Sequence, residues 1–354
     1  MSTPTISING RKIGQGLLTF IIAEMSANHN KDYDQAVKII KAAKEAGADA
    51  VKLQTYTPDT ITIDSKGDYF KIKGTVWEDR YLFDLYGEAY MPWEWQPKLK
   101  KIADDLGITL FSTSYDDSAV EFLEEMDVPV YKVASFEVVD LPLLRRIGKT
   151  GKPVIMSTGM ATLSEIDEAV KTIREAGCLD LALLHCVSAY PAPPEEMNLK
   201  TIPHMREAFG VPVGLSDHTL GITVPITAVA LGACIIEKHF TLSRDIPGPD
   251  STFSLEPHEF KSTVEGIRTT EKAIGSVSYN LTEREREILV YRRSLFVVKD
   301  MKAGELFTSE NVRSIRPGHG LHTRYLEVIT GRRAARDIEM GTPLTWKLVG
   351  GEKT

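Results

Sequence analysis

GLSDHTLGITVPITAVALGACIIEKHFTL, residues 214–242, reads as strand, helix, strand, with a histidine at the exit of each strand. The apolar run Val211-Pro-Val-Gly-Leu-Ser-Asp leads into His218, and Cys234-Ile-Ile-Glu-Lys leads into His239. Between them, residues 224–231 are rich in Ala, Val and Leu and long enough for about two turns of buried helix. Two neighbouring parallel strands of this kind place both imidazoles on one face of a sheet, close enough to share a metal ion.

Outward from that unit the same alternation fills the chain. Buried-strand runs occur at residues 18–25, 48–54, 108–113, 128–135, 153–158 and 181–186. Helical apolar patterns separate them at 33–46, 118–126, 164–176 and 198–209, and a last helix covers 258–274. Gly47 sits just past the first helix, where a helix C-terminus favours glycine. Eight strands alternating with helices predict an α/β fold, a (β/α)8 TIM barrel. An open doubly wound sheet rarely sustains eight regular units, and no Gly-rich dinucleotide loop follows the first strand.

In such a barrel the active site lies at the C-terminal ends of the strands. Those ends carry Glu24, Lys52 with Gln54, Thr113, Lys132 with Ser135 and Glu137, Ser157, His185 with Ser188, Ser216 with His218, and His239. A single serine at a strand end is usually a turn cap, but polar groups on every strand converge on one rim. Lys52 and Lys132 interrupt buried runs, which costs several kcal/mol unless each meets an anion. Together with the hydroxyls they suit a phosphate or a phosphorylated carboxylate. Two imidazoles without a cysteine set make an open metal site, fitted to Mn²⁺ or Mg²⁺ better than to a closed structural zinc. His29, in Ala-Asn-His-Asn, is a weaker candidate with an Asn-rich turn as its alternative. His204, His258, His319 and His322 read as surface or turn residues.

The connection over residues 55–92 is far longer than the roughly two to six residues such a loop needs. It is rich in aromatics, among them Tyr69, Trp77, Tyr86 and Tyr90. Two readings stand: a lid that shapes a substrate pocket, or a subdomain with a small core of its own.

Composition bounds the remainder. At 354 residues the chain exceeds a usual domain of about 100–200, although a barrel alone takes about 250. The division expected is a barrel over 1–280, a linker over 281–290 and a β-rich module over 291–354, whose thin core calls for a partner surface. No apolar run reaches the roughly 18 residues of a membrane span. The first residues carry no basic and apolar leader, and Cys178, Cys186 and Cys234 are unclustered, so a reducing cytoplasm is expected. A net charge of −7 speaks against nucleic acid or anionic membrane as partner. It is uneven: residues 291–354 carry +5 and the rest −12.

Several blocks resemble the sialic acid synthase family. They are Ile22-Ala-Glu-Met-Ser-Ala-Asn-His-Asn, Asp49-Ala-Val-Lys-Leu-Gln-Thr, Tyr131-Lys-Val-Ala-Ser, Ser157-Thr-Gly-Met, Gly214-Leu-Ser-Asp-His-Thr and Glu237-Lys-His-Phe-Thr. Ile315-Arg-Pro-Gly-His-Gly is similar to that family's C-terminal antifreeze-like (SAF) domain. The resemblance implies condensation of phosphoenolpyruvate with an amino sugar in its open aldehyde form, catalysed by a cytoplasmic, domain-swapped homodimer. It implies phosphoenolpyruvate contacts from Lys52, Thr113, Lys132, Ser135, Ser157 and Ser216, and metal ligation by His218 and His239. Sugar contacts would come from Gln54, Tyr190, Asp250 and, from the other chain, Arg316. Glu24 and Glu137 match acidic positions near the reacting centre, either of which would serve as base. Ser188 stands where N-acetylneuraminate synthases have Asn. With Tyr90-Met-Pro-Trp-Glu-Trp it resembles the pseudaminic acid synthase branch, whose acceptor is a 2,4-diacetamido-2,4,6-trideoxy hexose. The competing readings are N-acetylneuraminate or legionaminate synthesis by the same mechanism, a metal-free aldolase with Lys132 or Lys52 as Schiff base, and a non-catalytic carbohydrate-binding protein.

Overall fold

Eight short apolar runs close into a parallel barrel in a computed structural model that describes residues 4–351. The chain divides into two compact units, one ending at Gly275 and one beginning at Ser276. The first unit opens with a hairpin, β1 (Thr5–Ile8) antiparallel to β2 (Arg11–Gly14). Its Ile6, Ile8 and Ile13 are buried in the main core. The barrel strands are β3 (Phe20–Glu24), β4 (Ala50–Thr55), β5 (Thr109–Ser114), β6 (Tyr131–Val133), β7 (Val154–Ser157), β8 (Leu181–Cys186), β9 (Val213–Asp217) and β10 (Ile235–His239). They are neighbours in sequence order, and β10 pairs β3 to complete the ring.

Local chemistry accounts for the elements. Strands of a parallel barrel are covered on both faces and so read as continuous apolar runs; every residue of β3, β9 and β10 is buried. The helices that cover them carry their own start signals. Asp32 accepts from the backbone N–H of Asp34 and Gln35, and Thr162 forms a capping box with Glu165. Gly214 faces a crowded interior, where an added methyl group would lie 2.8 Å from Leu184 and collide with the Ile235 backbone. None of the described helices is long and apolar enough to cross a membrane.

Alternation along the strands has an electrostatic consequence. Lys238 lies between Glu237 and His239 and so points to the opposite face, out of the barrel. There its Nζ donates to Asp217 Oδ2 at 2.6 Å and to the Thr219 carbonyl at 2.5 Å, and Asp217 Oδ1 accepts from Thr219 N at 2.9 Å. Both side chains of this ion pair are essentially inaccessible to water. The pair clamps the turn that carries His218.

The second unit has a core of its own. β11 (Ser294–Val297) pairs antiparallel with β12 (Val312–Ile315), and Leu295, Val297, Phe307, Val312, Ile329 and Leu344 are buried between the turns. This small module gathers ten buried apolar residues in a cluster of its own.

Lys238→Met should cost about 3–5 kcal/mol of unfolding free energy, because Asp217 is left as an uncompensated buried charge. Adding Asp217→Asn should recover most of that loss. Urea denaturation of the single and double variants measures both, and a single-variant loss below roughly 1 kcal/mol would contradict the role of the pair.

Candidate active site

The register of the strands decides which groups meet. His239 is level with Glu24, and Glu24 with Lys52; one step further along, Gln54 is level with Thr113, and Thr113 with Lys132. Residues two apart on a strand share a face, so Lys52 with Gln54 and Glu237 with His239 point the same way. They open on a cavity of about 430 Å³ at the C-terminal end of the barrel. A wider, more open depression beside residues 195–204 gathers no comparable cluster.

Charge is concentrated and paired here. Lys52, nearly fully buried, donates from Nζ to Thr113 Oγ1 at 3.1 Å. The same nitrogen lies 3.0 Å from Glu24 Oε2 and 3.4 Å from Glu237 Oε1. Lys132 donates to Ser157 Oγ at 2.7 Å and to the Val133 carbonyl at 2.8 Å. Burial drives its ammonium down to about 8, because the charged form is poorly solvated. Burial likewise pushes the Glu24 carboxyl well above the usual range. It works against an ionised Glu237 as well, but Lys132 and Lys52 outweigh it and hold that carboxylate below its ordinary value.

Glu137 differs. It faces the cavity with Oε2 unpartnered, and burial raises it to about 7 against the pull of Lys132. Unlike Glu24 and Glu237, it forms no ion pair among the described residues.

The two histidines stand together, with ring centroids 5.4 Å apart. His218 Nδ1 lies 2.9 Å from the Val187 carbonyl. That nitrogen must donate, which leaves a lone pair on Nε2. Burial and the nearby His218, Lys52 and Lys238 keep His239 far below the usual imidazole range, hence neutral, and its Nδ1 has no partner. The neutral His239 with His218 beside it is a donor pair that fits a divalent ion. Among the described residues no three His, Cys, Asp or Glu side chains form a metal-holding group, so water and substrate oxygens would complete the coordination.

The other predicted residues fall into three groups. Gln54, Ser135, Ser157, Tyr190, Ser216 and Asp250 line the cavity. Gln54 Nε2 donates to Glu24 Oε1 at 2.9 Å and to Ser26 Oγ at 3.0 Å, and Ser26 in turn donates to Asp250. The Tyr190 ring lies against His218, with centroids 4.3 Å apart. Thr113 acts one step back, on Lys52. Ser188 does not line the cavity; it stands beside Gly159 and Ser135, where any side chain at Gly159 would collide with both hydroxyls. Arg316 is an exposed residue of the second unit.

His185 turns away from the cavity, as its place one residue before Cys186 requires, and its Nε2 lies 2.5 Å from the Met197 carbonyl. His29 is a buried structural residue: Lys31 N donates to its Nδ1 at 3.0 Å, and Trp95 packs edge-on against it. His204, His258, His319 and His322 are exposed.

Sequence reasoning passed over Glu237 and Ser26. Glu237 was legible, since it lies two residues before His239 and so shares its face. Ser26 adopts a positive φ of 45° at the strand-to-turn junction, which nothing in its own identity announces. The long segment over residues 56–92 does not build a separate core, and Leu85 is the buried residue of its longer helix (Leu82–Ala89). Its Trp77 donates to the Pro249 carbonyl at 3.0 Å and lies against Tyr190 and Phe253. The segment is a wall of the cavity.

A model of the NeuB family matches residues 39–279, and one of the SAF domain matches residues 292–350. The pseudaminic acid synthase of Campylobacter jejuni is 46% identical over 325 residues, covering 92% of this chain and 95% of that protein. The pseudaminic acid synthase of Helicobacter pylori is 44% identical, covering 92% and 96%. Among solved structures, the N-acetylneuraminic acid synthetase of Leptospira borgpetersenii superposes with a TM-score of 0.72 at 32% identity, covering 80% of this chain and 95% of that one.

Glu237→Gln removes the counter-charge that Lys52 and Lys132 share, so inorganic phosphate should bind about tenfold tighter, which corresponds to about 1.4 kcal/mol. Isothermal titration of both proteins with phosphate checks this, and unchanged or weaker binding counts against an anion-holding role for the two lysines.

Proposed function

The chain belongs to the NeuB family, and on that footing we propose that it condenses phosphoenolpyruvate with an open-chain diacetamido trideoxy hexose, giving pseudaminic acid and phosphate. One observation carries the reading: two buried lysines, a set of serine hydroxyls and two adjacent imidazoles surround a single cavity at the barrel mouth. Its identity to pseudaminic acid synthases exceeds that to the N-acetylneuraminic acid synthetase, which favours the diamino acceptor.

In this reading Lys52 and Lys132 hold the carboxylate and phosphate of phosphoenolpyruvate. Thr113 and Ser157 orient the two ammonium groups, and Ser135 and Ser216 supply further donors. His218 and His239 hold a divalent ion, Mn²⁺ or Mg²⁺, which when bound polarises the aldehyde oxygen of the sugar. Gln54, Tyr190 and Asp250 contact the acceptor, and Ser188 shapes its side of the site through Ser135. A carbon–carbon bond forms between carbon 3 of phosphoenolpyruvate and the aldehyde carbon, whose oxygen takes up a proton. Positive charge that develops at carbon 2 is met by water, and the tetrahedral adduct collapses with loss of phosphate.

Glu137 is the base in this scheme. Glu24 is engaged by Lys52 and Gln54, whereas Glu137 has a free oxygen and is poised near neutrality to take the proton from water. We further place Arg316 at the acceptor from a second copy, in a cytoplasmic, domain-swapped homodimer. The +5 charge of residues 291–354 against −12 for the remainder supports such a meeting. The working division is a barrel over 1–280, a linker over 281–290 and the SAF module over 291–354, in keeping with the residues the two family models match.

Purified protein given phosphoenolpyruvate should turn over the diacetamido trideoxy hexose in preference to N-acetylmannosamine, lose activity in EDTA and regain it with Mn²⁺. A preference for N-acetylmannosamine would overturn the choice of acceptor. Glu137→Gln should lower kcat by about 10²–10⁴. Because the base works ionised, wild-type kcat/KM should fall as pH drops through about 7, and the variant should lose that limb. A limb that survives the substitution assigns the base to Glu24 instead.

A further inference from the structure

The cavity has two unlike sides. The barrel strands present charge and hydroxyls. The side supplied by the segment between β4 and the helix Gln96–Asp105 presents Ile61, Ile72, Leu82, Leu85, Ala89 and the ring of Trp77. We propose that this segment selects the acceptor, its apolar face receiving the deoxygenated, methyl-bearing end of the sugar and rejecting a hydroxymethyl group there. The inference rests on the sugar-condensing reading of the site above.

Thr75, Tyr56 and Tyr86 of the segment also line the cavity, but its charged residues are kept elsewhere. Lys66 pairs with Asp84 at 2.6 Å, Lys71 with Asp79 at 2.7 Å, and Arg80 with Glu88, all on the solvent side. The polar atom of Trp77 is already spent on the Pro249 carbonyl, so what the indole offers the cavity is apolar. Ile72 is held in place by its backbone, accepting from Asp79 N at 3.1 Å and donating to the Arg80 carbonyl at 2.8 Å. Ile61, Ile72 and Leu82 are only half-buried within the protein because their side chains border empty volume. An apolar side chain that faces such a space has its water removed only when a ligand arrives.

The consequence for recognition follows from desolvation. A methyl group set against isoleucine and leucine loses nothing by leaving water. A hydroxymethyl group set against Ile61, Ile72 and Leu82 gives up its hydrogen bonds to water and finds no partner on those side chains, so an apolar patch of this kind discriminates by roughly 10- to 100-fold. The polar half of the cavity, which holds the phosphoenolpyruvate, is common to either acceptor and does not distinguish them.

The test compares wild type, Ile72→Asn, Leu82→Gln and the conservative Ile72→Val, each with phosphoenolpyruvate and either the diacetamido trideoxy hexose or N-acetylmannosamine. Ile72→Asn and Leu82→Gln should lower the ratio of kcat/KM for the deoxy sugar over N-acetylmannosamine by about tenfold or more, through the KM of the sugar. The KM for phosphoenolpyruvate should stay within about twofold, and Ile72→Val should keep the wild-type ratio; matching thermal melts show that the fold is intact. An unchanged sugar ratio in both polar variants, or a change confined to phosphoenolpyruvate, overturns the proposal. Failure of the wild type to use the deoxy sugar at all would instead overturn the acceptor reading on which it rests.

Discussion

The buried ammonium of Lys52 is the constraint around which this protein is arranged. A charge this far from water is tolerable only beside opposite charge, and Glu24 and Glu237 reach it from the two strands β3 and β10 where the barrel closes. That requirement ties ring closure to chemistry. If β10 paired with β3 one residue out of register, Glu237 would leave the interior and Lys238 would enter it, bringing three cationic groups together with Glu24 left to pair with Lys52. The observed register puts Lys238 on the outside, against Asp217, and leaves His239 free beside His218.

From this follows a division of labour between the two sides of the cavity. The strands are rigid, covered on both faces, and hold titratable groups whose protonation is set by burial and by one another. The long segment between β4 and the following helix carries no such burden and is built of half-buried apolar residues whose ion pairs face solvent. Chemistry held on strands and recognition held on a connecting segment is the arrangement that lets one barrel mouth act on related sugars, since the wall can change without disturbing the charge network.

Much of this was legible in the residues. Period-two alternation within apolar runs told which of Lys52, Gln54, Lys132, Ser157 and His239 face inward, and should also have flagged Glu237 and demoted His185. Lysines within buried strands announced an anion or a carboxylate partner without saying which. For Lys52 the resident partners are carboxylates, a fact that emerges only when β3, β4 and β10 are set side by side. Ser188 shows the opposite limit: its position in sequence placed it at the rim, yet Gly159 and Ser135 stand beside it and it does not line the cavity.

By itself the sequence determined the number and order of the strands, the face on which each charged residue lies and the presence of two imidazoles at adjacent strand ends, because these depend on local periodicity and on chain order. Only the tertiary structure decided that Glu137 has a buried oxygen without a hydrogen-bond partner, that Ser26 links Gln54 to Asp250, and that residues 56–92 wall the cavity and have no core of their own. Protonation and enclosure depend on which groups from distant parts of the chain share the same few ångströms, and no local pattern contains that distance.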